Sequence, residues 1–494
     1  MKKVSILLRI TAFCLAVMML FSMTACGINK PNEESTPTVT GSDVVNSDEQ
    51  NNESEVESTD SSSPESSSVE NSSSQKPTSS TSGTSSTTVK KSKKFAADPY
   101  SDIPADVKKK TVKVLLWQAP SKQEKERIAD FTKKTGIKVD VKHVSQNLYN
   151  DTLISRISSG DSPDVAYLNE TSFPSNTIKL FSALDPTIYK LEDSIWDKAL
   201  MNQFKVGGNY YGVNIKGNFA EDTAMVLFYN KTLLDNNNIE DPYKSWKKGN
   251  WNWSTFETIL AKVKACASLS KYRPLYFYQP SALIGSAGVN FISYNGKKFS
   301  DNINNTTLVD AYQKLATWRE KGYVSAAGFA GTDAAAGNFV FYSCIAYHLK
   351  AQDTFFGSTG KTSNGEIRAV PFPSPKGSKV YVAENIKMFG TAKGAKNKEG
   401  AAYFLRYYLD PANQDMKNAF ANPQAKEVWD YIHKQNKVVD YAQSVISYVN
   451  TSAYLTLQNT LMSADSTQIR KVISEQSNVV TKAVSTVNSK VLKN

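Results

Sequence analysis

An early segment of the chain alternates between two hydrophobic periods, and this alternation constrains the fold more than any other feature. Residues 111–117 and 137–143 place apolar side chains at every second position, which predicts two strands. Between them, Ser121 and Glu124 form a capping box at the start of a helix, and Gly136 marks its end. The pattern therefore predicts a strand, a helix and a second strand.

A second helix and a third strand continue this pattern. Apolar residues recur at helical spacing between residues 148 and 157, and residues 164–168 form the next apolar run. Strands that alternate with helices in this way pair in parallel through right-handed crossovers. In such sheets, ligands bind outside the carboxyl ends of the strands. We therefore expect a binding edge at Trp117, Gln118, Tyr167, Asn169 and Glu170.

The later part of the chain mixes strands and helices in the same manner. Residues 210–213, 224–230, 367–371 and 386–391 have strand character. Residues 339–349 form a continuous apolar and aromatic run, which is typical of a strand buried on both faces. Apolar residues from 469 to 487 lie on one helical face. The fold class that these elements predict is α/β.

The N-terminus has the pattern of an export signal. Residues 1–9 are basic, and residues 10–25 are uncharged and mostly apolar, a run shorter than the roughly 20 residues that a bilayer helix needs. Residues 23–26, Met-Thr-Ala-Cys, resemble the lipobox of bacterial lipoproteins, whose cysteine is acylated and becomes the new N-terminus. We expect a lipoprotein signal peptide at residues 1–25 and lipidation of Cys26. The alternative is ordinary cleavage with Cys26 incidental.

The next segment differs sharply from the rest in composition. Residues 31–90 carry a net charge of −9, contain no aromatic residue and are Ser or Thr at 28 of 60 positions. Such a segment buries too little apolar surface to fold, so residues 26–96 are predicted to be a disordered tether. The chain as a whole has a formal charge of +11, and residues 91–494 carry +16. That charge is dispersed, as on a solvated surface, and we expect no nucleic-acid partner for an exported chain.

Motifs of catalysis and metal binding are missing from the sequence. The three histidines, at positions 143, 348 and 433, lack metal-ligand spacing, so we expect neither a metal nor another cofactor. The sequence has no nucleophile elbow and no phosphate-binding loop. Paired carboxylates for glycoside hydrolysis meet only in the fold, so spacing does not exclude them. Cys266 and Cys344 lie in apolar patterns, which favours buried free thiols over a disulfide.

Five short motifs occur in order within about residues 105–490. They are Asp161-Ser-Pro-Asp164-Val, Tyr211-Gly-Val213, Leu227-Phe-Tyr-Asn230-Lys231, Trp251-Asn-Trp253-Ser-Thr-Phe256 and Gly390-Thr-Ala-Lys-Gly394-Ala-Lys-Asn397. In this order, behind a lipobox, they resemble the family 1 extracellular solute-binding proteins. These proteins are the capture subunits of carbohydrate ABC importers and are similar to maltose-binding proteins.

The resemblance implies a two-lobed, periplasmic-binding-protein-like fold of type II with the ligand cleft between the lobes. Each lobe would contain a mixed, mostly parallel sheet flanked by helices, and the chain would cross between the lobes more than once. By analogy, the first lobe comprises residues 97–225 with 366–412. The second lobe comprises residues 226–365 with 413–494.

A saccharide offers apolar C–H faces and hydroxyl groups to its binding protein. Its site therefore needs aromatic rings for stacking and amides or carboxylates for hydrogen bonds. The resemblance adds the loop after Val213, the second lobe and the returning segment to the expected edge. The further expected ligand contacts are Asn218, Phe219, Asp222, Tyr278, Gln279, His348, Lys350, Glu384 and Asn385. Taken singly, each of these residues is also compatible with a purely structural role.

Together these features lead to one leading hypothesis and two alternatives. The leading hypothesis is a monomer anchored by lipid to the extracellular face of a Gram-positive cell membrane. It would capture a small carbohydrate, deliver it to the permease subunits of an ABC importer and catalyse no reaction. The alternatives are a wall-tethered glycan hydrolase and a surface adhesin that binds polysaccharide without transporting it.

Overall fold

The computed structural model describes residues 98–215, 223–324, 331–350, 356, 359–414 and 420–492. Several sequence predictions concern residues outside these ranges: the signal peptide, the tether and its Cys26, and the loop residues Asn218, Phe219 and Asp222. The side chain of Glu170 also lies outside the description.

Two separate larger sheets and two small ones contain the strands of the described residues. The strands are β1 Val112–Leu116, β2 Val139–His143, β3 Val165–Asn169, β4 Met225–Asn230, β5 Arg273–Phe277, β6 Ile292–Tyr294, β7 Phe299–Asp301, β8 Phe339–Ile345, β9 Lys361–Thr362, β10 Gly365–Pro371, β11 Tyr381–Ala383, β12 Lys387–Gly390 and β13 Asn436–Val438.

Helices precede, separate and follow these strands. They are α1 Ala105–Lys108, α2 Lys122–Thr135, α3 Gln146–Ser158, α4 Ser175–Leu180, α5 Lys198–Met201, α6 Lys231–Asn236, α7 Pro242–Lys247, α8 Trp253–Ala265, α9 Ser281–Ser286, α10 Thr306–Glu320, α11 Gly331–Ala335, α12 Lys398–Leu409, α13 Pro423–Ile432, α14 Ala442–Val449, α15 Thr451–Ser463 and α16 Ile469–Lys490. In the described part of the chain, none of them is both long and apolar enough to cross a membrane.

The first sheet has the strand order β12-β3-β1-β2. β1 runs parallel to β2 and β3, and β12 runs antiparallel to β3. The predicted alternation of strands and helices is therefore confirmed. Helix α2 begins with the predicted capping box, in which the Ser121 amide donates to the Glu124 carboxylate at 2.7 Å. The helix ends at Gly136, whose φ of 77° is a left-handed conformation that favours glycine.

The second sheet has the strand order β5-β8-β4-β10-β9. Its central strands β4 and β8 are buried on both faces, as the apolar run at residues 339–349 predicts. Only the β5–β8 pair is parallel, and the other three pairings are antiparallel. The expectation of a mostly parallel sheet in each lobe is therefore correct for the first sheet and wrong for the second, in which antiparallel pairing predominates.

The strand β10 requires a correction to the predicted boundary at residue 366. Residues 366–412 were expected to belong with the first sheet, but β10 pairs with β4 over five residues of the second sheet. The next strand of the first sheet is β12. The chain therefore returns to the first sheet after β10 and not before it, because the antiparallel neighbour of β10 lies in the second sheet. The expected strand at residues 210–213 is also reduced, to an isolated bridge between Val213 and Phe389.

The C-terminal region contacts the segment that follows β3. Phe173 packs its ring on Tyr441, with 5.7 Å between the centroids, and on Tyr294 of β6, at 5.1 Å. The Tyr441 hydroxyl donates to the Gln203 carbonyl oxygen at 2.9 Å. This aromatic cluster joins distant parts of the chain on one side of the molecule. Cys266 and Cys344 are free thiols, as the sequence predicts.

A buried carboxylate, Asp164, joins three segments that are far apart in sequence. One of its oxygens accepts the Lys113 amide of β1 at 2.9 Å. The other accepts the amides of Lys396 and Asn397, at 2.9 and 2.7 Å. Asn397 in turn caps helix α12, because its side-chain oxygen accepts the Gly400 amide at 3.0 Å. Asp164 therefore holds the returning segment against the amino end of the first sheet.

We expect Asp164→Asn to destabilise the protein strongly. The amide group that replaces one carboxylate oxygen cannot accept the backbone N–H groups on its side, so at least one buried donor loses its partner. The expected loss in the free energy of unfolding is about 3 kcal/mol, measured by urea denaturation.

Asp161→Asn is the matched control for this substitution. Asp161 lies three residues earlier, and its half-exposed carboxylate pairs with Lys113 Nζ at 2.5 Å and Arg156 Nη2 at 2.9 Å. Exposed ion pairs contribute little, so we expect a loss below about 1 kcal/mol. Equal losses for the two variants would contradict the role of Asp164.

Candidate functional site

Two aromatic rings stack at the carboxyl edge of the first sheet. Trp117 directly follows β1, and its ring lies on that of Tyr167 in β3 with 4.6 Å between the centroids and 23° between the planes. Phe389 of β12 packs on Tyr167, with the centroids 4.4 Å apart. Tyr167 is buried and Trp117 is only half-buried. We name Trp117 and Tyr167 the aromatic platform, and Trp117 is its accessible member.

The strand register explains why these rings meet. Tyr167 lies opposite Phe389 in the antiparallel β3–β12 pair, and Leu115 lies opposite Ala166 in the parallel β1–β3 pair. Tyr149 of α3 adds a cross-link, because its hydroxyl donates to Leu115 O at 3.2 Å and accepts the Tyr167 amide at 2.6 Å. Burial raises the pKa of the Tyr149 hydroxyl far above its usual value, so this group stays neutral.

The ammonium group of Lys387 lies against the aromatic platform. Its Nζ is 4.5 Å from the centre of the Trp117 ring and 4.6 Å from that of Tyr167, which is cation–π distance. The buried Asn214 amide donates to the Lys387 carbonyl oxygen at 3.4 Å. Sequence reasoning missed Lys387. The strand pattern contained a signal for it. Lys387 and Phe389 are two residues apart in a predicted strand, so their side chains lie on the same face of the sheet.

The other residues predicted at this edge have different environments. Gln118 is exposed. The side-chain oxygen of Asn169 accepts both the amide and the hydroxyl of Ser172, at 3.0 and 2.9 Å, and so organises the turn after β3. Glu170 begins a short 3-10 helix at that turn. The structure thus brings Trp117 and Tyr167 together, and it gives the Asn169 oxygen a local structural role.

Glu124, at the start of α2, is a charged group near this edge that the site prediction did not include. Its carboxylate accepts the Tyr408 hydroxyl at 2.9 Å and the Ser121 amide at 2.7 Å. Burial raises the pKa of Glu124. The hydrogen bonds from Ser121 and Tyr408 and the charge of Lys350 together lower it by more than burial raises it, so the pKa is below its usual value. Lys350, from the region after β8, is thus one of the groups that lower the pKa of Glu124.

The predicted residues of the second sheet form two groups. In the first group, the Tyr278 amide donates to Ser343 O at 2.8 Å, which places Tyr278 beside β8. Its neighbour Gln279 accepts a hydrogen bond from the Asn385 side chain at 3.0 Å. The Thr223 hydroxyl donates to the Asn385 carbonyl oxygen. Asn385 therefore connects the chain entering β4 with the chain returning to β12.

The second group lies in the short 3-10 helix Ala346–Leu349 and just after it. His348 is buried, and its ring packs edge-on against Tyr347 and Phe356, with centroids 5.6 and 5.9 Å apart. Lys350 Nζ lies 3.7 Å from the centre of the Tyr347 ring. Lys350 thus presents a second ammonium group that lies on an aromatic ring.

Glu384 takes part in the crossing between the sheets. Its backbone forms an antiparallel bridge with Ala224, just before β4, and its amide donates to Val438 O at 2.9 Å. Its carboxylate lies 3.4 Å from Lys437 Nζ. Two of the crossings of the chain, before β4 and before β12, therefore run side by side at Glu384 and Asn385, as the strands of a hinge would.

The chemistry of this arrangement is that of a binding site. It offers an accessible indole face, amide groups and ammonium groups at the edges of two sheets. In the described ranges, no three His, Cys, Asp or Glu side chains come together to hold a metal ion. Stacking and hydrogen bonding are the two interactions that a small polar solute with an apolar face requires.

Comparisons with known proteins agree with this description. The chain is similar in structure to an ABC substrate-binding protein from Listeria monocytogenes in complex with cycloalternan, with a TM-score of 0.58, 18% identity and coverage of 76% of this chain and 99% of that chain. It is also similar to the galacto-N-biose-/lacto-N-biose I-binding protein from Bifidobacterium longum in complex with lacto-N-biose. Here the TM-score is 0.56 at 16% identity, and the match covers 76% of this chain and 97% of that chain. A third similar structure is a Staphylococcus aureus solute-binding protein in complex with maltose. Its TM-score is 0.55 at 17% identity, and the match covers 76% of this chain and 99% of that chain.

These identities are low, so the likeness to the solved structures concerns the fold, and it confirms the predicted two-lobed α/β class. None of the curated proteins matches the sequence. The family model of bacterial extracellular solute-binding proteins matches residues 126–423, which is more than half of the chain. That family consists of binding proteins that act outside the cytoplasm. The chain belongs to the bacterial extracellular solute-binding proteins.

Proposed function

We propose that this chain is a lipid-anchored substrate-binding protein that captures a small carbohydrate outside the cell and delivers it to the permease subunits of an ABC importer. The aromatic platform is the observation that carries the proposal. An accessible indole ring at the carboxyl edge of a parallel sheet is a surface on which the C–H face of a sugar ring can stack. The solved structures of similar fold are complexes with cycloalternan, lacto-N-biose and maltose.

Delivery requires that the bound and unbound proteins differ in shape. The paired crossings at Glu384 and Asn385 support a hinge between a first lobe built on the first sheet and a second lobe built on the second sheet. A solute that contacts both lobes stabilises the closed state, and a permease that fits that state better recognises the loaded protein. In this mechanism the chain acts as a monomer and catalyses no reaction.

The location follows from the N-terminal sequence. Export by the signal peptide and acylation of Cys26 would anchor the protein to the outer face of the cell membrane, and the acidic tether would carry the folded part away from it. Multiple acyl chains hold firmly, because each buried methylene contributes about 0.8 kcal/mol.

Trp117→Ala should weaken saccharide binding. The substitution removes the accessible stacking surface, and losing its burial and its aromatic contact should reduce affinity at least ~10-fold. Isothermal titration calorimetry with the saccharide that most raises the melting temperature of the wild-type protein measures the effect. Tyr448→Ala, at an exposed aromatic residue of α14, is the control and should bind as the wild type does.

The same titrations test the alternatives. Release of reducing sugar over time would show a hydrolase, and binding of polymers alone would show an adhesin. Unchanged affinity of Trp117→Ala for a saccharide that the wild type binds would rule out the aromatic platform as the site.

Cys26→Ala should release the protein from the membrane. Without the thiol no acyl chain can be attached, so the protein should move from the membrane fraction to the medium and lose its label from radioactive palmitate. Cys14→Ser is the matched control, because Cys14 lies within the segment that the signal peptidase would remove. Retention of the Cys26→Ala variant in the membrane fraction would refute the lipid anchor.

A further inference from the structure

A polar cavity of about 600 Å³ lies at the amino edge of the second sheet. Arg273 and Pro274 of β5 line it, and so does Asn338, which directly precedes β8. The strands β5 and β8 are parallel, so this edge is opposite to the one at which Tyr278 follows β5. At about 3.3 Å per residue, the five residues of β5 separate the two edges by roughly 17 Å. The cavity is therefore distinct from the candidate saccharide site.

Two lysines bring positive charge to this cavity. Lys264 comes from the last turn of α8, and Lys271 lies two residues before β5. Both side chains are exposed, and within the described ranges neither ammonium group forms an ion pair. Lys271 Nζ lies 5.0 Å from the centre of the Tyr272 ring, which also lines the cavity. A ring contact positions an ammonium group without neutralising it, so the positive charge still attracts an anion.

The Lys264 side chain lies directly against Gly322, another lining residue. The φ of Gly322 is 69°, a left-handed conformation that favours glycine. A Cβ atom at this position would lie 3.2 Å from both Cε and Nζ of Lys264. The absence of a side chain at residue 322 therefore leaves the space in which the Lys264 ammonium group lies.

Hydrogen-bonding groups without positive charge form another part of the lining. Asn364 Nδ2 donates to the Asn338 side-chain oxygen at 2.6 Å and to Ala336 O at 2.9 Å. The Asn338 side chain in turn donates to Asp333 Oδ1 at 3.2 Å. Among the residues that the structure describes, none donates to Asp333 Oδ2 or to the side-chain oxygen of Asn364. These two oxygens are fixed acceptors for the hydroxyl groups of a ligand.

The two kinds of lining group favour a ligand with two kinds of substituent. The ammonium groups favour an anion, and a phosphate group offers several oxygens that two lysines can contact as point charges. The acceptor oxygens of Asp333 and Asn364 favour hydroxyl donors. Because the Asp333 carboxylate repels a second anion, the phosphate belongs beside the lysines and the hydroxyl groups beside Asp333.

We propose that this cavity is a second ligand site, which binds the phosphate ester of a polyol. Lys264 and Lys271 would bind the phosphate, and the hydroxyl groups would donate to Asp333 and Asn364. Two sources offer this chemistry: a free polyol or sugar phosphate, and a phosphodiester-linked polymer of the cell surface. The site goes beyond saccharide capture, because a ligand at this edge of the sheet leaves the saccharide site empty.

Calorimetric titration of the full-length protein with four probes tests this site. The probes are inorganic phosphate, glycerol, glycerol 3-phosphate and a glycerol-phosphate hexamer with phosphodiester links. We expect the monoester or the hexamer to bind at least ~10-fold more tightly than inorganic phosphate and glycerol, and to bind more weakly as the salt concentration rises. Tighter binding of the hexamer would identify the polymer as the source, and tighter binding of the monoester would identify the free phosphate.

Two double variants assign the binding to the cavity. The substitutions Lys264→Met and Lys271→Met together keep unbranched side chains, remove both charges and should lower the affinity for the phosphate esters at least ~10-fold. The matched control combines Lys297→Met and Lys298→Met, which remove the same charge from two exposed lysines between β6 and β7. The control should bind the esters as the wild type does. Both double variants should keep the melting temperature and the saccharide affinity of the wild type.

Three results would overturn the proposed second site. The first is that none of the four probes binds. The second is an equal loss of affinity in the two double variants, because the binding would then come from dispersed surface charge. The third is that inorganic phosphate binds as tightly as its glycerol esters, because the hydroxyl groups would then make no contact. The saccharide titrations test the proposed function separately, so either proposal can fail while the other stands.

Discussion

The buried carboxylate of Asp164 is the interaction on which the organisation of the first sheet depends. It accepts amides from the start of β1 and from the segment before α12, and it does so from the residue just before β3. Gly394 must approach this junction closely, because a Cβ atom there would lie 2.8 Å from the hydroxyl of Ser162 and its φ is 78°. The motifs that contain these residues therefore build the frame of the first sheet.

The consequence of this junction appears at the other end of the same strands. Once β1, β3 and the returning segment are aligned, their carboxyl edge carries Trp117, and the register of β12 brings Phe389 and Lys387 to Tyr167. The register of one sheet thus positions side chains from three distant stretches of chain next to one another. The crossing strands at Glu384 and Asn385 run side by side between this sheet and the second one, as the strands of a hinge would.

Much of the fold could be predicted from local patterns. The period of the apolar residues identified β1, β2 and β3, and the capping box of Ser121 with Glu124 and the glycine at 136 located both ends of α2. The buried run at residues 339–349 correctly indicated a central strand. The predicted lobe boundary at residue 366 was wrong because local sequence does not determine which sheet a strand joins. The residues of β10 are compatible with either sheet, and only its pairing with β4 shows that it belongs to the second.

The candidate site shows the same division between features that local patterns predict and features that depend on long-range pairing. The sequence by itself determined the residue types available at each strand end, the family motifs and the absence of catalytic and metal-binding spacing, because all of these are local patterns. Only the tertiary structure decided that Lys387 lies on the rings of Trp117 and Tyr167, and that Asn385 bonds to Gln279. These facts depend on strand register and sheet membership, which join residues more than a hundred positions apart, and no local period encodes such pairings.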